Sequence, residues 1–321
     1  MKTHLSVIIV NWNTKELLKQ CISSVYSESK KYNIEVIVAD NNSADGSADM
    51  VLREFPYVRL IRNLENFGFS AANNHAINIA RGKYILLLNP DTVIKNGAID
   101  KMIDEYEYYR FNGLLTCKLL NPDGSLQKSV YNFYTFFGSL LQNRFTSKVL
   151  DKIKMSSQSS LLTWDHNSIR EIDWARGAVL MFPASVVKNI GVLDENYFIY
   201  GEEIDFYYRA KKAGYKAMFL PSAEIVHYGK ASSRQRRVEM FLQNYKSLYT
   251  FLKKNYSAPS YYIYRFRTIF FLLTWIAYYS AVLSVKKLTG KKDSSEESTQ
   301  LKIYLKTISW HFTGSSFIHY A

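Results

Sequence analysis

Residues 83–92 read KYILLLNPDT, and this stretch decides the fold. Five apolar side chains in a row, Tyr84 to Leu88, stop at an Asn-Pro-Asp sequence that ends in Asp91. An apolar run of this length is typical of a strand that is buried on both faces of a parallel sheet. The sequence therefore predicts a core strand that is followed by a carboxylate, with Pro90 stiffening the turn between them.

The sequence ahead of this strand alternates between strand and helix. Apolar, strand-like runs occur in LSVIIVNWN (5–13), IEVIVADNNSADGS (34–47) and VRLIRN (58–63), and a helical pattern follows each one. Thr14 is a predicted helix cap, and Ser47 is the predicted start of the second helix. The resulting βαβαβαβ order predicts an α/β fold with a doubly wound, mostly parallel sheet.

Polar side chains follow four of the predicted strands at the point where each strand ends. They are Asn11 and Asn13, Asp40 to Asn42, Asn66, and Asp91. Ligands of doubly wound sheets bind at the carboxyl ends of the strands, where these residues should converge. Asn and Asp also favour turns for local reasons, so each residue alone has a purely structural explanation. Four such groups together favour a ligand site.

Several functional classes lose their support from the sequence. No G-x-G-x-x-G follows the first strand and no G-x-x-x-x-G-K-[ST] occurs, which argues against dinucleotide dehydrogenases and P-loop proteins. Cys21 and Cys117 are the only cysteines, too few for a disulfide framework or a Cys-based zinc site. The first apolar run is too short for a signal peptide, so we expect a cytoplasmic protein.

The positive charge lies in the C-terminal third of the chain. Residues 1–208 contain 22 Lys+Arg against 23 Asp+Glu, whereas residues 209–321 contain 19 against 5. The same third holds TIFFLLTWIAYYSAVLSV (268–285), which has no charged residue but has basic residues on both sides. This pattern predicts peripheral attachment to an anionic membrane surface, on the inner face of the plasma membrane.

Two placements of this apolar segment stay open. Its Tyr, Trp, Ser and Thr content favours a helix lying in the membrane interface, while its 18 residues are just enough to cross a bilayer. A buried helix of a soluble core would not need the flanking cations. Nucleic acid is not an expected partner, because no motif of nucleic-acid recognition accompanies the basic third.

The predicted domain boundaries follow these patterns. A catalytic domain is expected over residues 1–250, with a nucleotide-binding half at 1–115 and an acceptor half at 116–250. A basic and apolar helical segment for membrane association is expected at 251–321. Residues 121–170 lose the regular pattern and are predicted to form an irregular excursion. Within the acceptor half we expect a strand over 178–182, a helix beginning near Glu202 and a strand over 217–220.

Seven motifs in order resemble those of inverting family-two glycosyltransferases, which have the GT-A fold. They are VIIVNWN (7–13), ADNNSADGS (39–47), NFGFSAANN (66–74), LLLNPDT (86–92), WARGAVLMF (174–182), LDENYFIYGEEIDFYYR (193–209) and VHYG (226–229). The resemblance covers roughly the first 230 residues. It is strongest to the branch with rhamnosyltransferases and galactofuranosyltransferases that build bacterial surface polysaccharides.

The resemblance implies roles for particular residues. It makes Glu203 the general base, and Asp91 with His227 the site of a divalent cation, Mg²⁺ or Mn²⁺. Glu202 and Asp205 are expected to support the loop or the acceptor. The implied donor-binding residues are Asn11, Asn13, Asp40, Asn66, Gly68, Asn73, Asp91, Trp174 and Arg176. A single carboxylate acting as base implies inversion at the anomeric carbon.

Two departures from the family pattern affect these expectations. Asn89-Pro90-Asp91 replaces the Asp-x-Asp of many GT-A enzymes, leaving one carboxylate for the cation. Glu203 stands where an aspartate is more usual. Adjacent helical residues point about 100° apart, so Glu202 and Glu203 are not expected to face one atom together.

The branch suggests deoxythymidine-diphosphate rhamnose as the donor, with uridine-diphosphate sugars as the second choice, and a lipid-linked glycan as the acceptor. Two other functions stay open. A sugar nucleotidyltransferase should carry a glycine-rich basic loop after the first strand, and NWNTKEL (11–17) contains no glycine. A non-catalytic scaffold that binds a nucleotide sugar would not need the acidic residues that this chain keeps.

Overall fold

The computed structural model describes residues 2–133, 164–229, 236–289 and 295–314. The chain forms two compact units, Met1–Ser232 and Ser233–Ala321. The division therefore comes earlier along the chain than residue 250. Most of the irregular excursion predicted for residues 121–170 lies outside the described residues.

The first unit is a layered α/β domain. Its described strands are β1 Leu5–Asn11, β2 Ile34–Asp40, β3 Arg59–Arg62, β4 Tyr84–Leu88, β5 Thr92–Lys95, β6 Leu114–Leu120, β7 Leu126–Gln127, β8 Val130–Tyr131, β9 Arg170–Ile172, β10 Trp174–Ala175, β11 Val179–Pro183 and β12 Ala217–His227. Its described helices are α1 Lys15–Glu28, α2 Ser47–Glu54, α3 Gly68–Ile79, α4 Ala98–Glu107, α5 Ala184–Ile190 and α6 Glu202–Lys212.

The central sheet has the strand order β3-β2-β1-β4-β11-β6-β12-β5, with β7 added beside β6 and β9 beside β12. Strands β1 to β4 are parallel to one another, while β11 runs antiparallel to both of its neighbours, β4 and β6. Every residue of β1, β4 and β11 is buried, as expected for strands covered on both faces. The prediction of a mostly parallel α/β sheet is confirmed.

Two local predictions differ from the structure. Thr14 precedes α1 but its side chain caps no backbone N–H; its hydroxyl is turned toward the loop after β1, where it donates to Asn11 Oδ1 at 2.6 Å. The strand predicted for 217–220 continues to His227 after a register shift between Leu220 and Glu224. This irregularity is typical of a β-bulge, and the extension carries His227 to the site.

The second unit is helical in its described part. It contains α7 Arg237–Asn255, α8 Ala258–Leu288 and α9 Ser295–Thr313. Leu272 of α8 and Ile303 and Tyr304 of α9 form its buried apolar cluster. The predicted apolar segment lies within α8, which is long and apolar enough to cross a membrane, while only 11% of its most apolar stretch is buried.

Candidate active site

The ends of β1 and β2 hold a rigid pair of polar side chains. The strand register places Asn11 opposite Asp40, and Asn11 Nδ2 donates to Asp40 Oδ1 at 2.8 Å. The backbone N–H of Ser43 donates to Asp40 Oδ2 at 2.9 Å, so both carboxylate oxygens have a fixed donor. Asn13 has a positive φ of 53°, and its side chain accepts from the Ala44 N–H at 2.8 Å. The two loops are therefore locked together around a buried carboxylate.

The loop before α3 is attached to this pair. Asn41 Nδ2 donates to the Gly68 carbonyl at 2.9 Å, and Asn66 Oδ1 accepts from the Gly68 N–H at 3.0 Å. Gly68 has a φ of +83°, and a Cβ added there would lie 2.4 Å from the Phe198 carbonyl oxygen. Only glycine satisfies this conformation and this close approach.

Helix α3 connects this loop to the segment before α6. The N–H of Phe69 donates to the Phe198 carbonyl at 2.6 Å. Asn74 Nδ2 donates to the Leu193 carbonyl at 2.8 Å, and its Oδ1 accepts from the Leu193 N–H at 3.1 Å. Asn73, the predicted donor-binding residue, donates to the Phe69 carbonyl of its own helix at 2.8 Å. Asn74 was not predicted as functional, although it closes the NFGFSAANN motif.

Asp91 and His227 face each other at the other end of the site. Strands β5 and β12 pair Thr92 with His227, and the Tyr228 N–H donates to the Asp91 carbonyl at 2.9 Å. His227 Nε2 lies 3.3 Å from Asp91 Oδ1, and both side chains are almost fully buried. The structure therefore brings together the two residues predicted to hold a cation.

Gln127 determines which nitrogen of His227 carries the proton. Its Nε2 donates to the His227 carbonyl and to Asn121 Oδ1, each at 3.0 Å, so its Oε1 faces His227 Nδ1 at 2.6 Å. This pattern assigns a proton to Nδ1, and in a neutral imidazole the lone pair on Nε2 then points at the Asp91 carboxylate. Two facing electron donors fit a bound cation, and the second bond made by the imidazole is typical of a metal ligand.

Gln127 was not predicted, because a two-residue strand one hundred residues away from His227 gives no sequence signal. Among the described ranges, no group of three or more His, Cys, Asp or Glu side chains could hold a metal. A cation at Asp91 and His227 would therefore need further ligands from a diphosphate or from water.

Two acidic residues open α6. Glu203 is partly buried, and its Oε2 accepts from the Gly201 N–H at 2.9 Å. Glu202 is 4% exposed, and its Oε2 accepts no hydrogen bond from the described part of the chain. Burial raises the pKa of both carboxyls, and it raises that of Glu202 well above the ordinary value. Both groups are thus poised to hold protons at higher pH than ordinary glutamates.

The two carboxyls differ in how strongly they hold a proton. After burial, the neighbouring charge of Glu203 raises the pKa of Glu202 further, whereas backbone hydrogen bonds and the charge of Arg176 oppose the rise for Glu203. Glu202 therefore keeps its proton to higher pH than Glu203. That the two residues do not face one atom together stays a prediction.

Residues 174–178 lie between the turn that bears Asp91 and the start of α6. The Asn89 N–H donates to the Ala178 carbonyl at 3.0 Å, and a Cβ on Gly177 would lie 3.6 Å from Glu203 Cβ. The charge of Arg176 lowers the pKa of Glu203, opposing the larger effect of burial. The turn after β4 and the predicted base thus border the same short segment.

Trp174 and Asp205 have clear structural partners. Trp174 stacks on Tyr131 with ring centroids 4.6 Å apart, and its indole N–H donates to the Asn132 carbonyl at 3.0 Å, so only ring surface is left for a sugar.

Asp205 is fully buried and pairs with Arg209 at 2.7 Å. Because Arg209 also donates to carbonyls of residues 190 and 192, this pair anchors the segment before α6.

The sheet order, the polar strand ends and the acidic helix start are those that the resemblance to GT-A enzymes predicts. The family model for glycosyl transferase family 2 matches residues 6–158. The chain is 26% identical over 267 residues to the N-acetylglucosaminyl-diphospho-decaprenol L-rhamnosyltransferase of Mycobacterium tuberculosis, covering 79% of this chain and 85% of that protein. It is 23% identical to the rhamnosyltransferase WbbL of Escherichia coli K12, covering 77% and 92%.

Solved structures support the same fold. The mannosyltransferase PcManGT from Pyrobaculum calidifontis, in complex with GDP-Man and Mn²⁺, superposes with a TM-score of 0.56 at 16% identity, covering 98% of this chain and 89% of that one. GalNAc-T7 with UDP, GalNAc and Mn²⁺ gives a TM-score of 0.54 at 18% identity, covering 70% and 44%. The chain therefore carries a glycosyl transferase family 2 region at residues 6–158 and is similar to named rhamnosyltransferases over more than three quarters of its length.

Proposed function

We propose that the protein transfers rhamnose from a nucleotide diphosphate to a hydroxyl of a lipid-linked or polysaccharide acceptor, with inversion at the anomeric carbon. Two relatives that align over most of their length are named rhamnosyltransferases, and one of them acts on a decaprenol-linked sugar. Deoxythymidine-diphosphate rhamnose is the favoured donor, and a uridine-diphosphate sugar is the second choice. The observation that carries the proposal is the position of buried Glu202 and partly buried Glu203 beside residues 174–178.

Glu203 is the proposed general base. Burial brings its pKa up toward the working pH, where a base is most efficient, and Arg176 limits the rise. The Glu203 carboxylate takes the proton of the acceptor hydroxyl as that oxygen forms its bond to the anomeric carbon. The bond from this carbon to the diphosphate breaks on the opposite side, and the electron pair leaves with the diphosphate. Attack opposite the leaving group inverts the configuration.

The diphosphate is proposed to lie near Asp91 and His227. A divalent cation, Mg²⁺ or Mn²⁺, would bind Asp91 Oδ1 and His227 Nε2 and would neutralise charge on the leaving group. The 3.3 Å separation between His227 Nε2 and Asp91 Oδ1 supports this assignment, and so does the Gln127 contact, which puts the imidazole proton on Nδ1 and keeps Nε2 for the cation. Gln127 holds the imidazole in the required orientation through its bonds to Nδ1 and to the backbone.

The nucleoside is proposed to bind over the Asn11–Asp40 pair. Each Asp40 oxygen accepts one hydrogen bond from the protein and keeps a lone pair for a ring N–H of a pyrimidine. This side of the site would be shaped by four residues whose hydrogen bonds to backbone groups fix the loops: Asn13, Asn66, Gly68 and Asn73. Trp174 and Arg176 would border the sugar.

The second unit is proposed to hold the enzyme at the inner face of the plasma membrane, close to a lipid-linked acceptor. Its basic residues and the exposed apolar surface of α8 support this location. The lipid-linked substrate of the mycobacterial relative is consistent with it.

Incubation of the purified protein with a panel of nucleotide sugars, a polyprenyl-diphosphate N-acetylglucosamine acceptor and Mn²⁺ tests the function. We expect transfer from deoxythymidine-diphosphate rhamnose and loss of turnover with a chelator. A sugar nucleotidyltransferase would instead release pyrophosphate from a nucleoside triphosphate and a sugar phosphate. A scaffold would bind nucleotide sugar without turnover, and either result would overturn the proposal.

A further inference from the structure

One side of α8 exposes a continuous row of large apolar side chains. Tyr262, Phe266, Phe270, Leu273 and Tyr278 are each more than half exposed, and the row continues through Val285 to Leu288. The first five are three to five residues apart, and Val285 follows seven residues after Tyr278; all of them lie within one half of the helix circumference. This row, which we term the apolar row, spans about 40 Å at 1.5 Å per residue. No charged residue interrupts it between Arg267 and Lys286.

The opposite side of α8 is covered by α9 along its apolar length. Leu272 is fully buried, and Trp275 and Tyr279 contact Tyr304 of α9. At one end Lys286 forms an ion pair with Glu297. At the other end Arg265 donates to the carbonyl of His311. The two helices therefore lie antiparallel, side by side, from one end of the apolar segment to the other.

Helix α9 carries charged side chains whose transfer into the hydrocarbon of a bilayer would be unfavourable. Lys302 and Lys306 lie in its middle, one turn apart, and both are exposed. Glu296 and Glu297 open the helix and pair with Arg237 and Lys286. If α8 crossed a bilayer, α9 would be drawn in beside it with these charges, which is a costly arrangement. If α8 lay flat, only the apolar row would enter lipid.

We propose, extending the membrane attachment in the proposed function, that α8 lies flat in an anionic membrane surface with the apolar row inserted and α9 facing water. Residues 233–321 contain 14 Lys+Arg against 4 Asp+Glu, which complements acidic lipid headgroups. The aromatic content of the row suits the interfacial region. A second copy of the chain is a poorer occupant of the same face, because it would bring an equally basic unit against this one.

Flotation with vesicles tests this placement. The full chain is mixed with vesicles of phosphatidylcholine alone or of phosphatidylcholine with phosphatidylglycerol. We expect binding to the mixed vesicles and at least a tenfold weaker partition for the double variant Phe266→Ser/Phe270→Ser, since burial of each ring in lipid is lost. The matched control, Leu52→Ser/Tyr109→Ser, changes equally exposed apolar residues of the first unit and should bind like the parent. Equal binding of both double variants would overturn the proposal.

Labels at the two ends of the row separate a flat helix from a spanning one. Single cysteines at Tyr262→Cys and Leu288→Cys carry a fluorophore, while the native Cys21 and Cys117 are buried. A flat helix places both labels at similar depth on the side to which the protein was added, and an alkaline carbonate wash releases the protein. A spanning helix places one label beyond the reach of an external impermeant quencher and resists the wash, which would overturn the proposal.

Light scattering without lipid separates the membrane from a second copy. We expect a monomer, and a dimer that dissociates in the Phe266→Ser/Phe270→Ser variant would overturn the proposal. Transfer to a soluble acceptor analogue is measured in parallel for every variant. If the parent protein transfers sugar but does not bind the mixed vesicles, this inference is overturned and the proposed function stands. If the parent protein does not transfer sugar, the proposed function is overturned.

Discussion

The roles of the two adjacent glutamates can be separated by a pair of isosteric replacements. Glu203→Gln keeps the shape of the side chain and removes its ability to take a proton. A general base contributes roughly 10² to 10⁴ in rate, which corresponds to about 3 to 6 kcal/mol of barrier at about 1.4 kcal/mol for each factor of ten. We therefore expect kcat to fall by at least about a hundredfold, with donor binding largely intact.

Glu202→Gln is the matched control on the same helical turn. Burial keeps Glu202 protonated to higher pH than its neighbour, and an amide resembles a protonated carboxyl in size and in its ability to donate. Because Glu202 Oε2 accepts no hydrogen bond within the described residues, the amide replaces no essential acceptor there. We expect turnover to stay within about threefold of the parent.

The assay measures initial rates of transfer from the labelled donor between about pH 5 and 9, with donor affinity measured separately. The base must be ionised to act, so activity should rise with pH through a pKa above the ordinary 4.5 of a glutamate. Arg176→Met removes a charge that lowers this pKa, and the rise should move to higher pH. Near-normal turnover in Glu203→Gln, or an equal loss in Glu202→Gln, would refute the assignment of the base.

Three further predictions concern the framework of the site. Asp205→Asn should lower the free energy of unfolding by about 2 kcal/mol in urea titrations, because it removes the charge of a fully buried carboxylate that pairs with Arg209; an unchanged midpoint would contradict this. Gly68→Ala should cost about 2 kcal/mol or more through its positive φ and its clash, whereas Gly177→Ala meets only ordinary contacts and should cost little. The Glu202 carboxyl ionises near pH 4.5 in the unfolded chain but at higher pH in the fold, so stability should fall as pH rises above 4.5, and Glu202→Gln should reduce that fall.

The first half of the fold could be predicted because each of its parallel strands is marked by an apolar run of its own in the sequence. The run ending at Leu88 and the alternation of strands and helices before it give the order of these strands along the chain. The register of β1 and β2, which the structure supplies, then places Asn11 opposite Asp40. The antiparallel insertion of β11 between β4 and β6 could not be predicted from periodicity, since a buried strand has the same pattern in either direction. Its position depends on long-range pairing.

The side-chain interactions were harder to predict than the strands. The helical period separates the directions of Glu202 and Glu203 but does not show that Glu202 is the more deeply buried of the two. Gln127 reaches His227 across one hundred residues of sequence. Asn73 and Asn74 are neighbours with identical side chains, and only the three-dimensional path of residues 193–201 determines which of them reaches across.

The geometry of α3 explains how donor and base are kept in register. The segment that leads to Glu203 is held at Leu193 by Asn74 and at Phe198 by the N–H of Phe69. Asn41, which follows β2, is bonded to the carbonyl of Gly68 at the start of the same helix. A nucleoside bound over Asp40 would therefore be linked to the proposed base by only a few hydrogen bonds. A loss of the Asn74 contacts should impair the positioning of the base more than the binding of the nucleotide, since Asp40 has independent partners in Asn11 and Ser43.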